Sequence, residues 1–133
     1  RYLRNDFDYQ RSQDVDHVRG SFFAFRRETL REEGYLDPGF HIWFEEVDFC
    51  KRVREKGMRV FYLADVRAHD FVGKGVSQMQ RFETQWIFTS SMLRYFRKWF
   101  PAWQWMVLAG VRPIGLFLAL CADGVNGLKK KMV

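Results

Sequence analysis

The residues best equipped for chemistry sit in one short run, Phe44-Glu-Glu-Val-Asp48, with Arg52 four residues beyond Asp48. A carboxylate that reaches a hydroxyl directly can take its proton, and a pocket can bring a glutamate's pKa toward the working pH. Glu45 and Glu46 also suit a plainer role, since acids at the start of a helix meet the positive end of its dipole. Asp48 and Arg52, spaced i,i+4, fit a structural pair better than a catalytic one, worth a few tenths of a kcal/mol if exposed. His17 and His41 have no partners at metal-ligand spacing. His69 is either an ordinary loop histidine or a neutral imidazole completing a site that carboxylates begin. Cys50 and Cys121 form no CxxC, which speaks for a reduced compartment and against a disulfide scaffold or a cysteine zinc site. Gly73-Lys-Gly75 is too short for a phosphate-binding P-loop.

These residues need elements to hold them. Residues 1–14 are polar and mixed, a lead-in loop. The aromatic run Ser21 to Phe25 predicts a buried strand. Arg27 to Glu33 has helical composition and stops at Gly34, and Asp37-Pro38-Gly39 is turn chemistry. Phe49 and Val53, with Cys50 beside them, mark one face of a helix that opens on Glu45-Glu46 and ends at Gly57. On that face Cys50 acts as a small hydrophobe. Arg59 to Leu63 predicts a second strand, leading to His69 and a Gly-rich loop, Gly73 to Ser77. A long helix over 78–100 carries the stripe Phe82, Trp86, Leu93, Phe96 and Phe100, and Pro101 ends it.

The chain has 133 residues with 47% hydrophobic and 18% aromatic side chains, which suits one domain and excludes a disordered or collagenous chain. It begins at Arg1 without a methionine or a secretory pattern, as expected of a piece of something longer. Residues 1–80 hold 14 Lys+Arg and 14 Asp+Glu, so the formal +6 resides wholly in the last 53 residues. An evenly basic nucleic-acid binder would not look like this, and nucleic-acid binding is a weak reading because the basic surplus is interleaved with apolar runs.

In order along the chain come Gly20-Ser21, Gly34-Tyr-Leu-Asp37, Phe44-Glu-Glu-Val-Asp48 with Arg52, Gly57, then His69 and Ser77. This ordered set, over about residues 15–78, resembles the C-terminal half of the catalytic domain of family 2 glycosyltransferases of the rhamnosyltransferase-like kind. The resemblance implies an α/β fold, part of a GT-A (Rossmann-like nucleotide-diphospho-sugar transferase) domain over 1–78. It implies an inverting transfer from a nucleotide-diphosphate sugar to a glycan or lipid-linked acceptor, with Glu46 as general base. Gly20, Ser21, Glu45 and Asp48 fall in the sugar neighbourhood, and His69 near a divalent metal, Mn or Mg. The family's D-x-D metal motif lies far upstream of the acidic pair, so Asp6-Phe-Asp8 and Asp14-Val-Asp16 are decoys. The main ligands are then expected in an N-terminal half outside these residues, and the fragment alone should be inactive.

Residues 79–133 read as a helical, basic and apolar tail. Ala102 to Ala122 nears the roughly 20 residues that span a bilayer. Arg112-Pro113 splits it, however, and a mid-membrane Arg costs about 2.5–3.5 kcal/mol on insertion scales. A helix in the membrane plane or a shallow hairpin fits this pattern, with Trp99, Trp103 and Trp105 at the interface. The expected location is the cytoplasmic face of the membrane, held peripherally through residues 81–133, with a homo-oligomer possible in principle. The competing readings are helices packed on the missing half, and a non-catalytic membrane-surface binding module.

Overall fold

The computed structural model describes residues 7–69 and 79–131. The Gly73 to Ser77 loop and the first residue of the long helix lie outside them. Six elements follow in order: β1 (Gln13–Asp14), α1 (Arg27–Glu33), α2 (Glu45–Glu55), β2 (Phe61–Tyr62), α3 (Arg81–Trp99) and α4 (Ala102–Lys131). They belong to two compact units, one from residues 7–37 and 46–69, the other from 38–45 and 79–131.

In the first unit β1 and β2 pair antiparallel, Gln13 opposite Tyr62 and Asp14 opposite Phe61. The Val15 amide extends the pairing to the Val60 carbonyl at 3.0 Å. A bidentate Arg59–Asp14 pair, 2.7 Å at both contacts, closes one side. Arg59 holds the exposed Asp14 carboxyl below its usual range, and Asp14 pushes the guanidinium up. Asp16 pairs with Arg54 at 2.8 Å. Both carboxylates of Asp14-Val-Asp16 are therefore engaged by arginines.

The aromatic run Ser21 to Phe25 does not form a strand. It has no ladder partner among the described residues, and it is not buried: Phe22 and Phe25 are exposed and Phe23 is half-buried. Phe23 and Phe25 sit 5.4 Å apart, and Phe25 lies 5.3 Å from Phe49 of α2. The second strand shrinks from Arg59–Leu63 to Phe61–Tyr62 for the same reason, because its partner offers only two residues.

Helix α2 buries Asp48, Phe49, Cys50 and Val53. Burial pushes the Cys50 thiol up, as for a small hydrophobe without reactive character. The helix ends by glycine chemistry. Gly57 takes φ 76°, its amide bonds the Arg54 carbonyl at 2.9 Å, and the Met58 amide reaches back to Val53 at 3.2 Å. That is a Schellman closure, and only glycine adopts its left-handed position at no steric cost. Gly34 ends α1 in a different glycine conformation, φ 73° and ψ −170°, with its amide on the Leu30 carbonyl at 2.9 Å.

In the second unit α3 and α4 form an antiparallel hairpin around Pro101. Arg97 of α3 lies over Trp105 of α4, and at the far end Asp123 of α4 accepts the Arg81 and Phe82 amides at 3.1 and 2.8 Å. Helix α4 runs unbroken through Pro113, contrary to the split expected at Arg112-Pro113. A mid-helix proline costs about 3 kcal/mol or more, and cross-helix bonding opposes it at this level. Arg112 donates to Thr89 Oγ1 at 3.1 Å and to Ser90 Oγ at 2.6 Å, and its guanidinium lies 4.2 Å from the Trp86 ring centroid.

The Asp48–Arg52 pair is not an exposed one. Asp48 is 0% exposed, and Arg52 bonds it at 3.1 Å while also donating to the Tyr35 carbonyl at 2.8 Å. Replacing Arg52 by Leu strands a buried carboxylate without its cation, a loss of about 3–5 kcal/mol. Urea unfolding of Arg52→Leu should show that drop, and Asp48→Asn in the same chain should recover part of it.

Candidate functional site

Two non-glycine residues lead into α2 in the left-handed backbone region: Trp43 at φ 64° and Phe44 at φ 71°. For bulky side chains this costs roughly 1–2 kcal/mol per residue, and such strain persists only where the surroundings enforce it. Within the second unit the enforcement is aromatic. Trp43 meets Phe88 of α3 edge-on at 5.7 Å, and Phe44 lies 5.6 Å from Phe88 and 5.5 Å from Tyr95. The buried Ser91 donates its hydroxyl to the Ile42 carbonyl at 2.9 Å. Arg94 lies over the buried Phe40 ring at 5.4 Å, and its guanidinium fills the space where a Cβ on Gly39 would stand. The turn delivers Glu45, half-buried, as the first residue of α2.

Glu46, the next residue, belongs to the first unit. Its Oε2 is buried and has no hydrogen-bond partner among the described residues. A buried polar oxygen without a partner is uncommon in folded chains, and the rest of the Glu46 side chain is half-buried. Gly20 lies against it: a Cβ there would stand 3.4 Å from the Glu46 carboxyl carbon and 3.6 Å from its Cβ and Cγ. A glycine lets the backbone approach the carboxylate without crowding it.

Two of the residues expected in a site, Gly20 and Glu46, are thus brought together. Asp48 is occupied by Arg52, and Ser21 and His69 are exposed. Among the described residues no group of three His, Cys, Asp or Glu could hold a metal ion. A divalent metal does not fit this set, and His69 alone does not make a site. What composition and periodicity missed is the strained turn, since Ile42-Trp43-Phe44 carries no glycine or asparagine to signal it.

A segment of the chain is similar to an enzyme that transfers sugars. A segment of 46 residues, 35% of the chain, is 33% identical to the low-salt glycan biosynthesis hexosyltransferase Agl10 of Haloferax volcanii. The match spans 15% of that protein's length. No family model matches the chain, and no solved structure matches it.

Strain at position 43 is separable from packing. Trp43→Asn and Trp43→Ala both lose the ring, but asparagine tolerates the left-handed region better. The asparagine variant should therefore be the more stable, by up to about 1 kcal/mol, in paired denaturant titrations.

Proposed function

We propose that the chain is the acceptor-side part of an inverting glycosyltransferase of the GT-A kind, with Glu46 as its general base. The observation that carries this reading is the buried, unpartnered Glu46 Oε2 beside Gly20. A carboxylate oxygen already bonded to donors has its lone pairs engaged, whereas one without a partner has them available for an acceptor hydroxyl. The similarity of 46 residues to a hexosyltransferase supports the same class of reaction.

In this reading an acceptor hydroxyl lies within hydrogen-bond reach of Glu46. The proton passes to the carboxylate as the hydroxyl oxygen bonds the anomeric carbon of a nucleotide-diphosphate sugar. The bond from that carbon to the diphosphate oxygen breaks, the nucleotide diphosphate leaves with the electron pair, and the configuration inverts. The acceptor is a glycan or a lipid-linked glycan. Any Mn or Mg in the reaction takes its ligands from outside the described residues. The expected place of work is the cytoplasmic membrane face.

The test is nucleotide-diphosphate release by the protein carrying this chain, across a panel of sugar nucleotides with manganese or magnesium. Glu46→Gln should lower turnover by about 100-fold or more with donor affinity unchanged. Gly20→Val, which crowds the carboxylate from an exposed position, should cost about tenfold in turnover with the unfolding midpoint in place. Full activity in Glu46→Gln would move the base elsewhere. Absence of release with every donor, from folded protein given a lipid-linked acceptor, would favour a non-catalytic membrane-surface module.

A further inference from the structure

Helix α4 wears its polarity inside out. Between Ala102 and Gly124 the sequence contains two charged residues, Arg112 and Asp123. Both turn onto α3, Arg112 to Thr89, Ser90 and Trp86, and Asp123 to the first amides of α3. The opposite face carries Trp103, Val107, Val111, Ile114, Phe117 and Leu118, each more than half exposed. Their spacing of three and four residues makes one continuous stripe. The segment Ala102–Gly124 is long and apolar enough to cross a membrane, and none of it is buried within the chain. At 1.5 Å per residue that segment is roughly 34 Å long, and the stripe from Trp103 to Leu118 covers about 23 Å of it.

We propose that this outward face of α4 is embedded in a lipid bilayer with the helix lying in the membrane plane, α3 and the 38–45 turn standing on its water side. Apolar surface on this scale marks an interaction site. A protein partner would require about one hydrogen bond per 100–200 Å² of interface. The stripe offers none from side chains beyond the Trp103 indole at its edge, which matches hydrocarbon. Arg112, which alone would be costly near lipid, is already satisfied inside the hairpin. Arg97 and Lys98 are exposed at the closed end, and Lys129-Lys-Lys131 follow the stripe in sequence, cations suited to anionic headgroups.

The in-plane arrangement follows from α3. It keeps Arg81, Glu83 and Arg94 exposed along its length. A hairpin standing across the bilayer would carry those charges into hydrocarbon, whereas one lying flat leaves them in water. This inference rests on packing within the second unit and is independent of the sugar-transfer reading.

The experiment is flotation of the full chain with vesicles of phosphatidylcholine and a minority of phosphatidylglycerol. Wild type should float. Val111→Asn/Ile114→Asn/Phe117→Asn, which leaves net charge unchanged, should bind roughly tenfold or more weakly at unchanged helix content by circular dichroism. Glu46→Gln should float as wild type does, so failure here is separate from failure of the proposed base. Single spin labels at positions 107, 111, 114 and 118, with Cys50→Ala and Cys121→Ser, should report one common depth. Failure of wild type to float, or equal flotation of the triple variant, overturns the lipid face. A depth that rises to a maximum in mid-helix and falls again overturns the in-plane arrangement. Dimers in lipid-free sedimentation with dipolar broadening between outward labels would assign the stripe to a second copy of the chain and overturn the proposal.

Discussion

The entry to α2 sets the terms for everything around it. Two aromatic residues in the left-handed region, Trp43 and Phe44, turn the chain so that Glu45 and Glu46 open the helix. The strain of that turn is offset within its own unit, by Phe88 and Tyr95 against the two rings and by Ser91 on the Ile42 carbonyl. These contacts come from one side of α3, while α4 occupies another through Arg112 and Asp123. Helix α3 is a shared wall, and a side chain lost from it is felt both in the turn and in the hairpin.

The same economy governs the buried polar groups. Asp48 is fully buried and has its cation in Arg52, so it stabilises α2 and is not free for proton transfer. Glu46, two residues earlier, is half-buried with an unpartnered oxygen. Neighbouring carboxylates on one helix thus differ in their surroundings: Asp48 has an arginine, whereas Glu45 and Glu46 each keep a buried oxygen without a hydrogen-bond partner among the described residues. The space that the missing side chain of Gly20 leaves is the space beside Glu46.

Legibility from sequence tracked the distance over which the cause acts. Glycine closures at Gly34 and Gly57, the helix starting at Glu45 and the stop at Pro101 depend on neighbours within a turn, and they read directly. The unbroken course of α4 through Arg112-Pro113 depends on Thr89 and Ser90, more than twenty residues upstream, and did not read at all. The aromatic run Ser21 to Phe25 has strand composition, but a strand needs a partner edge. Of the site, the importance of Glu46 and Gly20 came from resemblance to a family. That they touch came from the structure, and the left-handed turn had no residue type to announce it.

The cap that Asp123 places on α3 also orders events during synthesis. Gln80 gives the first turn of α3 no side-chain cap, and the carboxylate that takes its amides lies about forty residues downstream. The opening turn of α3 therefore lacks its carboxylate cap on the nascent chain until α4 has been made through Asp123 and folded back. A chain released early, short of that residue, would carry α3 with an open end however complete its own sequence.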